Sequence, residues 1–486
     1  MPLVHAVETA PAPEALASWL CDEPGLVLLR SARAEDGGPG RFSFVAVQPF
    51  LTLRSLGSRC ELLWRGRRAI SFGNPWRLLE AWLGRCEVPE APDAPFPLGG
   101  CFGYWGYDLK NFLEPRLPRR AVNDLELPDC WLGFYDSLVA FDHRLGRAWV
   151  VSTGLRPDGS RSQRYARQRL DFWCRRLAEA SAARLGCLEP DAELPRDTLS
   201  AFRPHGMASS MPRDCFLHAV ERALSYIRAG DIYQVNLSHR LAAPWPLSGW
   251  ELFRRLTAVS PAPFAAYLDC GDSQVVSSSP ELFLRLSGHD VLTRPIKGTR
   301  PRSTDPAHDG QLAGELWGSA KDRAELVMIT DLLRNDLGRV CEFGSVQVPE
   351  LMRLERFAQV QHLVSTVEGR LRPGLSHLDA LAACFPGGSV TGAPKIRALE
   401  IIDELEPVAR GPYTGALGYL GFNRESHLSI VIRTAVCGTG RVYFPVGAGI
   451  VADSGPEAEY EETLAKASGF RAALALEGSR ARWVNH

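Results

Sequence analysis

The sequence predicts a mixed α/β fold in which short strands and amphipathic helices share one large core, and three features carry that expectation. Segments LVLLRSAR (26–33) and RFSFVAV (41–47) are rich in β-branched and aromatic residues and flank a Gly/Pro loop, as paired strands do. Segments 161–184 and 214–230 instead space their apolar residues as one face of a helix does. At 486 residues the chain is long enough for two or three average domains or one large composite one.

Strands dominate the N-terminal region, 1–185. PLGGCFGYWGYDL (97–109) is strand-like and rich in glycine and aromatics, and CWLGFYDSLVAFDH (130–143) with RAWVVSTG (147–154) reads as a hairpin, which helix 161–184 would cover. Proline-punctuated residues 186–213 form the expected linker to a second region, 214–475. There a helix begins with Asp214 as N-cap, sets Leu217, Val220, Leu224 and Ile227 on one face, and ends at Gly230. The next strand, 231–240, reads DIYQVNLSHR. Its period of two sends Tyr233, Val235 and Leu237 to one face and Gln234, Asn236 and Ser238 to the other, which either lines a pocket or meets solvent.

Strand 273–279 runs into Pro280-Glu281, and helix 319–335 carries Asp322 and Glu325 at i, i+3 on one face. Gln361 and His362 open the strand-like QHLVSTVEG. FPGGSVTGAPK (385–395) is a glycine-rich loop entering helix 396–405; it lacks P-loop spacing, but amides at a helix start can receive an anion. Strands 411–422 and 427–436 follow, the second holding Arg433 among apolar neighbours, where it needs an anionic partner. A small-residue strand then leads into a helix with Ser454 and Glu457 as capping box around Pro456, and with Glu459, Glu462 and Lys466 on one face.

Bulk properties exclude several classes. The net charge of −1 carries no polyanion or membrane-surface bias, so nucleic acid is not an expected partner. Twelve cysteines are scattered with no CxxC pair or His/Cys cluster, which suits reduced thiols. No apolar run reaches the roughly 18 residues that span a bilayer, and the N-terminus lacks a basic stretch followed by an apolar one. A soluble cytoplasmic protein is expected. Gly99, Cys101 and Gly103 match the G-x-C-x-G elbow of a nucleophilic cysteine, but Trp105 follows where glutamine would, and no His-Pro-Glu occurs downstream. Cys101 therefore belongs to a packed strand.

The candidate centre is TRPIKGTRPR (293–302). Only five of the 55 basic residues are lysine, at positions 110, 297, 321, 395 and 466. Lysine can expose a neutral, nucleophilic amine where guanidinium stays protonated, which makes Lys297 a candidate nucleophile rather than one more charge in an arginine-rich turn. Gly298 allows close backbone approach, and Pro295 and Pro301 stiffen the flanks. Two of the other lysines share helices with the acid pairs Asp322/Glu325 and Glu459/Glu462. Carboxylates from two helices are one way to hold Mg²⁺, which bridges to an anionic substrate. With Arg433, Gly447, Gly449 and Lys466, that describes a site for a small polycarboxylate, with Lys297 as nucleophile and Glu281 as acid or base.

In order, GDIYQVNLS, SSSPELF, TRPIKGTRPR, AKDRAELVMITDLLRND, FPGGSVTGAPK, IRTA and GAGIVADSGPEAEYEET resemble the chorismate-utilising enzymes. The likeness is dense from about 213 to 470 and looser over 20–150, through LLRSAR, RFSFVAVQP and GYWGYDL. It implies two large antiparallel sheets packed together with helices outside, of the anthranilate-synthase large-subunit type, the N-terminal part adding strands to the same body. Gln234 stands where water-using members carry a lysine. PIKGT at Lys297 is the reading of the para-aminating, aminodeoxychorismate synthase branch, whereas anthranilate synthases read PIAGT.

The resemblance implies that Mg²⁺, held by Glu325 and Glu462 with Asp322 and Glu459 near it, binds the ring carboxylate of chorismate. Arg433, Tyr413, Gly447, Gly449 and Lys466 would bind the rest of the substrate, Glu281 would protonate the leaving hydroxyl, and Lys297 would attack the ring. Gln234, Thr299, His362 and Thr391 would line the pocket. Ammonia would come from a separate glutaminase subunit, and a further enzyme would carry the product on to p-aminobenzoate and folate. Some relatives hold tryptophan between the sheets beside the LLRSAR segment, which leaves bound tryptophan open here. An ortho-aminating synthase and a non-catalytic chorismate- or tryptophan-binding subunit are the alternatives.

Overall fold

The computed structural model describes every residue except 32–39, 65, 89–93, 184–206, 358–359 and 477–486. Two twelve-stranded sheets form its centre. In the first, strands Leu3–Val7, Arg147–Ser152, Ser137–Asp142, Phe42–Ala46 and Val27–Arg30 continue into Phe264–Asp269, Gln274–Ser279, Thr434–Gly438, Arg441–Ile450 and Gln234–Pro244. The second runs from the edge strand Ile296–Pro301 through Val360–Arg370, Asp290–Arg294, Leu282–Ser287, Glu425–Ile430 and Ala416–Gly421 to Gly100–Trp105, Cys130–Tyr135, Leu51–Leu56, Arg59–Trp64 and Arg67–Phe72. Strands from both ends of the chain therefore lie in both sheets: Val27–Arg30 pairs with Phe264–Asp269, and Gly100–Trp105 with Ala416–Gly421, all antiparallel.

The layering follows from where apolar side chains can go. Phe44, Leu138, Ala140, Ala266 and Val275 of the first sheet meet Phe102, Tyr104, Trp131, Tyr135 and Tyr419 of the second in a shared core. Helices Gln163–Ala182 and Gly249–Val259 cover the outer face of the first sheet, through Trp173, Leu177, Leu252 and Phe253. Pro75–Cys86 and His377–Cys384 do the same for the second. Strands covered on both faces lose the alternation that marks a half-exposed strand, because neither face meets water.

That loss explains one correction. The run 130–142 is not one arm of a hairpin but two fully buried strands, Cys130–Tyr135 in the second sheet and Ser137–Asp142 in the first, and only the latter pairs with Arg147–Ser152. The chain changes sheet at Asp136. Of the expected linker, 186–206 lies outside the described residues, and Ala208–Ser209 pairs with Leu241 and Ala242. The helix expected from Asp214 is Arg213–Arg228, with Pro212 at the N-cap and Asp214 in the first turn. Its fully buried face is Phe216, Ala219, Val220 and Ala223; of the expected stripe Val220 is among these, and Leu224 and Ile227 pack against the same core from its partly buried flank. Ser454 does not cap the last acidic helix, Pro456–Lys466. Gly455 holds that position, and the Ser454 hydroxyl donates to Glu459 instead. Glu457 pairs with Arg213.

Candidate active site

The chain passes between the sheets at two adjacent points, and each crossover carries a candidate residue. Strand Gln274–Ser279 belongs to the first sheet and Leu282–Ser287 to the second, with Pro280-Glu281 between them. Strand Glu425–Ile430 belongs to the second and Thr434–Gly438 to the first, with Arg433 between them in the left-handed region at φ +50°. The crossovers are hydrogen-bonded together: the Ile430 amide donates to the Glu281 carbonyl at 3.1 Å and the Ser278 amide to the Arg433 carbonyl at 2.9 Å. A residue so held projects between two layers. Glu281 is 6% exposed. Burial pushes its carboxyl up to about 7, against a hydrogen bond from Ser389 and the charge of Lys297.

Lys297 lies on the edge strand Ile296–Pro301 of the second sheet, where its Nζ is 3.3 Å from Glu325 Oε2. Gly298 beside it has φ +70°, and a Cβ there would lie 2.6 Å from Leu316 Cδ1 and 3.0 Å from Asp322 Cγ, so only glycine brings this strand against the acid helix Ala320–Gly338. Thr299 Oγ1 and His362 Nδ1 are 2.9 Å apart on paired strands. Burial pushes the imidazole down to about 4, which makes it a neutral partner near pH 7.

The polar face of strand Gln234–Pro244 is buried, not solvated: Gln234, Asn236 and Ser238 are all shielded, while Tyr233, placed on the apolar face, is 73% exposed. Glycines in the neighbouring strand Arg441–Ile450 make the room. A Cβ at Gly449 would lie 2.6 Å from Gln234 Nε2 and 3.7 Å from Lys297 Nζ. One at Gly447 would lie 2.9 Å from Asn236 Oδ1 and 2.9 Å from the Tyr413 hydroxyl. Lys297, from the second sheet, and Gln234, from the first, thus meet over one missing side chain.

Lys466 donates to the Gly447 carbonyl at 2.8 Å and pairs with Glu462 at 2.7 Å. In an antiparallel strand the N–H and C=O of one residue face the same edge, so the Gly447 amide is offered on that side too. Arg433 donates to the Lys466 carbonyl at 2.8 Å. Burial pushes Lys466 below its usual range against the pull of Glu462. Burial alone would raise Glu462, but Lys466, Lys321 and Lys297 together hold it low. Burial raises Tyr413 to about 12.

All four candidate metal carboxylates face cations of the chain itself: Glu325 faces Lys297, Asp322 faces Arg300 at 3.3 Å, Glu459 faces Lys321 at 3.7 Å, and Glu462 faces Lys466. The Lys321–Glu459 pair brings the two acid helices opposite one another, and Glu459 Oε2 is buried without a partner. Among the described residues no three or more His, Cys, Asp or Glu side chains gather as a metal cage. The donor set is two carboxylates in the field of Lys297, which suits an ion that keeps most of its waters, as Mg²⁺ does.

Not every expected residue faces the pocket. The Thr391 hydroxyl donates to the Gly387 carbonyl at 3.0 Å, so it shapes its own loop. Cys101 is fully buried in strand Gly100–Trp105, and burial holds its thiol well above the usual range. Three contributors went unread. Ser389 holds Glu281, and Arg410 ties Asn236, Val390, Thr414 and Glu406 into one buried network beneath the polar strand face. Only the four-residue spacing of Glu406 and Arg410 hinted at the last pair. Leu29, Arg30 and Ser31 line, with Phe44, Tyr419 and His427, a cavity of about 30 Å³ between the sheets, which must open before an indole could enter. No described helix is long and apolar enough to cross a membrane.

Comparison with known proteins bears on this pocket. A family model described as chorismate binding enzyme matches residues 41–472. The aminodeoxychorismate synthase component 1 of Klebsiella aerogenes is 40% identical over 92% of this chain and 93% of its own length. The anthranilate synthase component 1 of Thermus thermophilus is 44% identical over 91% of both. The crystal structure of anthranilate synthase component I from Streptococcus pneumoniae superposes with a TM-score of 0.75 at 31% identity, covering 89% of this chain and 93% of that one. With the matched region spanning both sheets and every candidate residue named above, the chain belongs to the chorismate-binding enzymes.

Proposed function

We propose that the chain is an aminodeoxychorismate synthase component 1, which replaces the ring hydroxyl of chorismate with an amino group para to the ring carboxylate. The observation that carries this reading is the position of Lys297, a primary amine facing Gln234 and Gly449 within the electrostatic reach of a carboxyl that is still half protonated near pH 7. In the proposed first displacement, the Lys297 nitrogen bonds to the ring carbon across the diene from the hydroxyl. The double bonds shift, and the C–O bond breaks as Glu281 delivers its proton, so that water leaves. In the second, ammonia bonds to the carbon that lost the hydroxyl, the double bonds shift back, and Lys297 departs with its electron pair. Two displacements of this kind place nitrogen where oxygen stood.

Arg433, Tyr413, Lys466 and the Gly447 amide would orient the substrate's carboxylate and enolpyruvyl oxygens. Glu325 and Glu462 would hold Mg²⁺, which when bound supplies positive charge for the ring carboxylate. The relatives' designation as component 1 supports a second component, and a glutaminase would supply the ammonia. A second reading, ortho-amination to anthranilate, is favoured by the similarity to the Thermus thermophilus enzyme. Purified chain given chorismate, Mg²⁺ and ammonium separates the two. The proposal expects 4-amino-4-deoxychorismate by mass spectrometry, and a fluorescent anthranilate product would replace it with the second reading.

A further inference from the structure

The glycine-rich loop 385–394 links helix His377–Cys384 to helix Lys395–Leu405, and one side chain holds both of its ends. Lys395 Nζ donates to the Cys384 carbonyl at 3.1 Å and to Asp336 Oδ2 at 2.5 Å. The last residue before the loop and the first after it are thereby fixed to one point on helix Ala320–Gly338. The pair is buried, at 12% exposure for the lysine side chain and 3% for the aspartate. Burying two charges costs desolvation that their attraction offsets only with good geometry, so stability alone is a weak reason for an ion pair here. Lysine is scarce in this chain, at five of 55 basic residues. Arginine at 395 would bring a planar fork with more N–H groups than a carboxylate and one carbonyl satisfy.

What the loop carries is Ser389, which holds Glu281. Two glycines let the loop press onto the crossover. A Cβ at Gly387 would lie 2.6 Å from Cδ1 of Ile430, the residue whose amide donates to the Glu281 carbonyl. One at Gly388 would lie 2.5 Å from Leu332 Cδ2, one turn before Asp336 on the same helix. The far side of the loop is tied elsewhere: the Asn236 amide donates to the Thr391 carbonyl at 2.7 Å, and Arg410 to that of Val390 at 3.1 Å. Ser389 therefore sits between a fixed far side and two ends whose position Lys395 sets. The helix they are set against also carries Glu325, which faces Lys297.

We propose that Lys395 is a positioning residue: by joining both ends of loop 385–394 to Asp336, it sets the Ser389 hydroxyl against the Glu281 carboxyl. The proposal rests on the reading of Glu281 as the general acid. The Ser389 hydrogen bond lowers the pKa of Glu281, so losing it moves the alkaline fall in kcat to higher pH. The charged group that faces Glu281, Lys297, lies outside the loop and is common to every variant. Lys395→Met combined with Asp336→Leu removes the pair without leaving a lone buried charge, so this variant should unfold near the parent's midpoint. Rates from about pH 6 to about pH 9, at saturating chorismate, Mg²⁺ and ammonium, would compare the parent, this variant, Ser389→Ala and all three substitutions together. The fall should move up by about half a pH unit or more in Ser389→Ala and in the pair variant alike, with no further move when they are combined. The KM for chorismate should stay within about threefold of the parent. Lys395→Arg keeps the ion pair but not the compact ammonium at the Cys384 carbonyl, and should move the fall in the same direction. A purely structural lysine would change the amount of folded enzyme and leave the pH of the fall where it was. That result in the pair and arginine variants, additive moves in the combined variant, or an unmoved fall in Ser389→Ala overturns the positioning role. Parental turnover by Glu281→Gln instead overturns the general-acid reading, and this proposal with it.

Discussion

Glu281 offers the most direct test of the buried crossover. Its carboxyl is raised from an ordinary 4.5 to about 7, chiefly by burial. At about 1.36 kcal/mol per unit, that difference is on the order of 3.4 kcal/mol between the protonated and ionised folded states. The sign follows from linkage. A group whose folded pKa lies above its unfolded one stabilises fully below the unfolded value, and that stability is lost as pH rises through the folded one. Between about pH 5 and about pH 8 the parent should therefore lose about 2.5 kcal/mol of unfolding free energy through this group. Glu281→Gln keeps the shape and cannot ionise. Urea unfolding at both pH values should show the variant gaining about that much on the parent as pH rises. The same variant should lose turnover, while the parent's rate falls above about pH 7 as the acid ionises. Equal pH dependence of stability in parent and variant would refute the argument that burial sets this pKa.

Lys297→Arg is expected to lower kcat about 10³-fold, roughly 4 kcal/mol in barrier, and to do more harm than Lys297→Ala, which leaves space for direct attack. Parent enzyme given chorismate and Mg²⁺ without ammonia should accumulate a covalent adduct on the Lys297 peptide; absence of adduct together with an active arginine variant would remove the nucleophile. Gly449→Ala drives a methyl to within 2.6 Å of Gln234 Nε2, so it should abolish turnover while lowering stability by only about 1–3 kcal/mol. Parental activity in that variant would show that the strand can yield. Glu462 is half exposed, so Glu462→Ala should leave the fold within about 0.5 kcal/mol of the parent yet abolish Mg²⁺-dependent turnover. Full parental activity in excess EDTA would count against the metal.

Much of the local chemistry was set by the sequence alone. Five lysines among fifty arginines marked Lys297, the i, i+3 acids marked two helices that do form, and period two put Gln234 and Asn236 on one face. These are properties of neighbours along the chain, which is where helical and strand periodicity acts. What the tertiary structure decided is non-local. Strands buried on both faces carry no alternation, so nothing in 130–142 said that the chain changes sheet at Asp136. Nothing in SSSPELF said that Glu281 sits on a crossover, where burial raises its pKa. The capping box failed because the Ser454 hydroxyl found Glu459, a competing acceptor that spacing could not rank against the backbone. Ser389 reaches Glu281 across 108 residues of chain, and Lys297 approaches Gln234 over Gly449, a glycine on a third strand that lacks a side chain. Ion pairs, desolvation and close approach depend on distance in space, and the fold alone fixes those distances.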